Sequence, residues 1–271
     1  MSAEDRISVT IEGGVADVRM IRTDKMNALD DAMFSALIET GERLKTEPGV
    51  RVVVLSGEGR AFCAGLDMGN FGKMASGERK GGTETLVTAD RTAGGSNRAQ
   101  HAAMVWREIP VPVIAAVHGV AFGGGFQLCL GADIRYVTAD TRMSVMEIKW
   151  GLVPDMAGLV LMRQLARDDV VRELTYSGRQ FTGEEAVSLG FATRVCADPR
   201  AEALALAAEI AGRNPHAIRA DKRLLNLAAS GADQKTVLLA ESVEQTALIG
   251  TANQIEAVMS NMQKRAAVFA D

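Results

Sequence analysis

Apolar and polar positions alternate along Ile7 to Glu12 and again along Val15 to Ile21, on either side of Gly13-Gly14. That pattern predicts a β-hairpin. Asp30 stands ahead of Met33, Leu37 and Leu44 at helical spacing, so a helix capped by Asp30 and running to about Lys45 is expected. Arg51 to Ser56 reads as a strand that runs into a loop of small residues from Gly57 to Asp67. A helix from Asn97 to Ile109 follows, then an inner strand from Pro112 to Val117, three consecutive glycines (Gly123 to Gly125) and a further helix. The last third has Ala and Leu at helical spacing over Arg200 to Ala211, His216 to Ala229, Gln234 to Ile249 and Ala252 to Ala266, with Asn214-Pro215 breaking the first pair. Helices of this kind either fold back on their own domain or pack on a neighbour.

The two glycine turns carry the first chemical signal. Glycine lets bare backbone approach a ligand where a Cβ would collide. A helix starting at the triple glycine offers N–H groups and the positive end of its dipole to an anion, or to an oxygen that becomes one during reaction. Neither the Walker phosphate motif nor a Gly-x-Gly-x-x-Gly fingerprint after a strand occurs. What remains is two separate turns, each after a strand and each able to aim one N–H at a shared oxygen, which is an oxyanion hole.

Composition narrows the classes. The 271 residues suffice for one large domain, and the 30 basic and 34 acidic residues, net −4, are mixed along the chain. A nucleic-acid surface would need a basic stripe, so none is expected. No apolar run reaches a membrane span and the opening residues lack an apolar signal region, so a cytoplasmic protein is expected. Cys63, Cys129 and Cys196 lack CxxC spacing and read as reduced packing residues. His101 and His216 lie in predicted helices with no metal-ligand partner at useful spacing, and no metal is expected.

Four segments occur together in order: Lys25-Met26-Asn27-Ala28-Leu29, Phe62-Cys63-Ala64-Gly65-Leu66-Asp67, Gly123-Gly124-Gly125 and Gly151-Leu152-Val153-Pro154-Asp155. In this order and spacing the chain closely resembles the crotonase, or enoyl-CoA hydratase/isomerase, superfamily over roughly residues 5 to 270. The resemblance implies an α/β fold with a ββα superhelical core over residues 1–198 and a C-terminal helical oligomerisation region over 199–271, assembled as a homotrimer or a dimer of trimers. It implies an acyl-CoA substrate whose thioester oxygen meets the N–H groups of Leu66 and Gly124, with no further cofactor. Residues around Lys25, Met26 and Ala28, and Ala64, Gly65, Asp67 and Met68, with Gly123 and Pro154, would hold the acyl-CoA. Arg60 and Lys25 would meet its phosphates or simply be solvated.

Making or quenching an enolate needs a group that moves a proton. The candidates are Gln127, Glu147 and Asp155. Hydratases of the superfamily have glutamates at the positions of both Gln127 and Glu147. An amide can hold water but cannot exchange a proton at neutral pH, so conventional hydration is expected to lose on the order of 10²–10⁴ in rate. Asp155 stands where dienoyl-CoA isomerases have a catalytic aspartate and typical hydratases a glycine; those isomerases have an aspartate at the position of Gln127. The resemblance therefore favours a double-bond shift by Glu147 and Asp155 over water addition, with a binding protein that has lost turnover as the alternative. Asp155 also reads as an N-cap after Pro154, and Gln127 as a residue that bonds backbone. The glycine-rich stretch from Phe71 to Ala99 reads as a lid bordering the acyl pocket or as a surface insertion.

Overall fold

A computed structural model of the chain describes residues 6–69, 86–87 and 90–271. The hairpin forms where the alternation places it: β1 (Ile7–Glu12) runs antiparallel to β2 (Val15–Met20). Asp30 caps α1 (Asp31–Leu44), its carboxylate accepting from the Met33 N–H at 2.8 Å, and the predicted apolar stripe of Met33, Leu37 and Leu44 is buried.

Every residue of β3 (Val52–Gly57) is buried, because both faces of the strand are covered. Successive side chains point to opposite faces, so Val53 and Leu55 enter the main core while Val52 and Val54 enter a second one. After α2 (Arg98–Glu108), opened by an Asn97–Gln100 capping box, β4 (Val113–Val117) repeats the division. Val113, Ala115 and Val117 go to the first core; Ile114 and Ala116 go to the second.

Beyond β4 the next three strands alternate between two sheets. β5 (Val120–Phe122) leads into α3 (Gly124–Leu130); then come β6 (Ile134–Val137) and β7 (Arg142–Ser144), a 3-10 turn at Glu147–Trp150, and α4 (Gly158–Met162). After α5 (Asp168–Ser177) come β8 (Phe181–Thr182), α6 (Gly183–Leu189) and β9 (Arg194–Val195). The larger sheet has the order β1-β2-β3-β4-β6-β9 and is parallel beyond the first hairpin; the smaller is β5-β7-β8. Two strands in different sheets followed by a helix is the repeating turn of a spiral, the ββα superhelix that the resemblance implies.

The helices after residue 198 divide in role. α7 (Pro199–Ala211) lays Ala203, Ala207 and Ala211 against Val52, Val54 and Ile114, so it seals the second face of the large sheet. Its four-residue spacing keeps these small side chains on one stripe. α8 (Pro215–Ala229) returns along the surface, and α9 (Gln234–Leu248) buries none of its residues. α10 (Ala252–Gln263) ends short of the expected Ala266, at a left-handed Lys264.

Two expectations change. Asp155 is not a helix cap: α4 starts after Ala157, which takes φ +66° and supplies no side-chain cap. His101 does have carboxylate neighbours, because α1 packed on α2 brings Glu42, His101 and Glu108 to within 4.8 Å of one another. Lys45 sits between the two glutamates, its Nζ 2.7 Å from each, so the carboxylates already share a cation. The stretch from Phe71 to Ala99 lies largely outside the described residues. Among these, no helix is long and apolar enough to cross a membrane.

Candidate active site

The two glycine turns meet. Segment 62–65 runs beside β5 through hydrogen bonds from the Phe62 N–H to His118 O (2.9 Å), from the Cys63 N–H to Val120 O (3.0 Å) and from the Phe122 N–H to Cys63 O (3.2 Å). Contact is close enough to exclude side chains. A Cβ on Gly65 would lie 2.5 Å from Phe122 O and 3.7 Å from the Gly124 nitrogen, and one on Gly125 would lie 2.3 Å from Cys63 O. Gly65 also takes φ +89°, which an L side chain rarely adopts. The Gly124 N–H opens α3, where a helix has no internal acceptor. Among the described residues no backbone carbonyl outside a helix or strand accepts from it or from the Leu66 N–H.

A third segment is tied to these turns. Asn27, fully buried, donates to Glu58 O and Ala61 O at 3.0 and 2.9 Å. The Ala64 N–H donates to Met26 O, and the Leu29 N–H to Gly65 O, at 2.9 and 2.8 Å. Met26 and Asn27 hold left-handed backbone at φ 49° and 54° to make these approaches. Ala28 is buried, while Lys25, Arg60 and Met68 are exposed. Asp67 is engaged: Arg22 donates to its Oδ2 at 2.6 Å and to Ala28 O at 3.0 Å, joining the two loops.

Glu147 lies against the second turn. A Cβ on Gly123 would be 3.2 Å from its Oε1. The side chain is only 8% exposed. Its Oε1 accepts a 2.6 Å hydrogen bond from the Gln127 amide, while its Oε2 is buried without a hydrogen-bond partner. Burial pushes the carboxyl above its usual range, and the negative charge of Asp155 pushes the same way, against hydrogen bonds from backbone and from Gln127. Asp155 itself is exposed, and Pro154 before it is half-buried.

Gln127 is fully buried on α3. Its Oε1 accepts from the N–H groups of both Met156 and Gly158, each at 2.9 Å. Gly158 allows this, since a Cβ there would lie 2.6 Å from that oxygen. Sequence periodicity contains no signal for this long-range clamp. Met156 is also new to the site: with Leu29 it packs on Gly124, where a Cβ would come 2.7 Å from the Met156 sulfur.

The thiols stay inert. Burial pushes Cys63 and Cys129 up to about 12, so neither supplies a thiolate at neutral pH.

Residues 10–271 match the family model described as enoyl-CoA hydratase/isomerase. The chain is 31% identical to the mitochondrial Delta(3,5)-Delta(2,4)-dienoyl-CoA isomerase of Mus musculus, over 93% of this chain and 77% of that protein. The rat counterpart is 32% identical, but the chain spans only 64% of its length. A probable enoyl-CoA hydratase of Bacillus subtilis is 30% identical over 81% of both chains. Among solved structures, an enoyl-CoA hydratase from Polaromonas sp. JS666 superposes with a TM-score of 0.86 at 26% identity, covering 98% of this chain and all of that one. The spiral of two-strand turns, the meeting of the glycine loops and these likenesses lead to one statement: the chain belongs to the enoyl-CoA hydratase/isomerase family and has the crotonase fold.

Proposed function

We propose that this enzyme shifts double bonds in unsaturated acyl-CoA thioesters, as a dienoyl-CoA isomerase does, in preference to adding water. The observation that carries the reading is the buried Glu147, with one unpartnered oxygen and the charge of Asp155 acting on it. The thioester oxygen binds between the N–H groups of Leu66 and Gly124, which stabilise the negative charge as a dienolate forms. Asp155, the exposed acid, accepts a proton from one carbon. Glu147, whose acid form burial favours, returns a proton further along the conjugated chain, and the double bonds move between the two positions. Only protons are transferred, so no cofactor is invoked beyond the coenzyme A of the substrate.

Lys25 and Arg60 are exposed beside the loops and suit the coenzyme phosphates. Exposed Leu225, Leu239, Val243 and Met262 on α8 to α10 (60–75% accessible) support assembly through the C-terminal helices. Light scattering gives the copy number.

The test is a panel of 2-enoyl, 3-enoyl and 3,5-dienoyl thioesters in deuterated water, with exchange followed at each carbon. Turnover of the dienoyl thioester with label at its two terminal reacting carbons is expected. Hydration of the 2-enoyl thioester as the fastest reaction overturns the reading in favour of a hydratase.

A further inference from the structure

We propose that Gln127 is a positioning residue with no lone pair left for a reacting water: it clamps one oxygen of Glu147 and the turn bearing Asp155 into a single frame. The proposal deepens the isomerase reading and rests on it for the identity of the reaction.

Hydrogen-bond accounting carries the argument. A glutamine offers one carbonyl oxygen with two lone pairs and an amide nitrogen with two protons. Here both lone pairs are taken, by the N–H groups of Met156 and Gly158 at 2.9 Å each. One amide proton goes to Glu147 Oε1 at 2.6 Å. This pattern also decides which end is oxygen and which is nitrogen, since two backbone donors face one end and a carboxylate the other. A water that attacks a double bond must give up a proton to an acceptor, and Gln127 has no acceptor left. Of the polar atoms in the Gln127–Glu147 pair, Glu147 Oε2 is the acceptor left without a hydrogen-bond partner.

The clamp does two things. It makes the two oxygens of Glu147 unequal, so that a proton on this carboxyl sits on Oε2 while Oε1 is tethered. It also fixes residues 156–158, directly after Asp155, to the helix that starts at the Gly124 N–H. The two acids and one oxyanion donor thus share one rigid unit, which suits a relay between two fixed carbons.

Gln127→Glu keeps an oxygen for Met156 and Gly158 but removes the N–H given to Glu147. Gly158→Ala disturbs the clamp from the other side without touching Glu147. The experiment titrates Glu147 by carbon-13 NMR of glutamate-labelled protein, assigned by loss of its signal in Glu147→Gln, and needs no substrate. Each variant is expected to raise the Glu147 midpoint, by about one pH unit or more for Gln127→Glu, where a second carboxylate is placed beside it. In wild type the alkaline limb of kcat/KM follows the same midpoint, whichever thioester the enzyme turns over. An unmoved midpoint in both variants overturns the proposal. Failure of the isomerase reading appears elsewhere, in the wild-type substrate panel.

Discussion

Phe122 O stands 2.5 Å from the point where Gly65 would carry a Cβ, so the two loops of the site touch through backbone alone. Gly65→Ala therefore forces them apart and strains a φ of +89°. Overpacking of this kind costs about 1–3 kcal/mol. Because the Leu66 and Gly124 N–H groups would separate, kcat is expected to fall by about 10²–10³. Denaturant melts and steady-state kinetics read the two effects; a stable variant with unchanged kcat would dissociate this contact from catalysis.

Glu147→Gln is expected to lower turnover by about 10²–10⁴ while leaving acyl-CoA affinity nearly unchanged. It should also stabilise the protein at neutral pH. Burial holds the folded carboxyl above its unfolded value of 4.5, so its contribution to stability is fully present below that pH and lost as pH rises through the folded value. The amide does not titrate. Melting temperatures of wild type and variant should agree at pH 4 and diverge above it, with the variant higher; equal melting points at pH 8 would contradict the burial of the charge.

Arg22→Met removes the cation that serves Asp67 at 2.6 Å and Asp30 at 3.5 Å. Although burial pushes both aspartates up, hydrogen bonds outweigh it, chiefly from the Gly69 N–H and Arg22 at Asp67 and from Arg6 at Asp30. Their folded values are depressed, so their contribution is present above about pH 4 and lost as pH falls through the folded values. The variant is expected to lose about 1–3 kcal/mol at pH 7, with the gap narrowing in acid. Urea titrations at pH 7 and pH 3 measure it.

Lys222→Met breaks a different support. The buried ammonium sits 2.8 Å from Asp133 Oδ2 and 2.8 Å from Val111 O, pinning α8 at the start of β4. Removing it leaves a carboxylate and a carbonyl without their partner, at a cost of about 3 kcal/mol. A double variant Lys222→Met with Asp133→Asn, which keeps an acceptor for the Val113 N–H at 2.8 Å, should recover part of that loss, and no recovery would mean the pair is not what stabilises the contact.

The hairpin, the Asp30 cap, α2, the buried strands and the glycine turn into α3 were all legible along the chain, since each depends on near neighbours and on a period of two or 3.6 residues. The four short motifs were enough to place the chain in its family. Other features had no local signature. The role of Gln127 depends on N–H groups 29 and 31 residues away. The His101 neighbours lie on another helix, and the absence of a cap at Asp155 follows from the left-handed Ala157. That α7 is part of the core emerges only where its alanines meet the second face of β3.

Sequence by itself determined which backbone segments are bare of side chains and which acids lie after them, because glycine, proline and charge act through the residue that bears them. Tertiary structure alone decided which oxygen of Glu147 is tethered and which is open. A hydrogen bond needs both partners within about 3 Å, and that distance is set by how the spiral stacks.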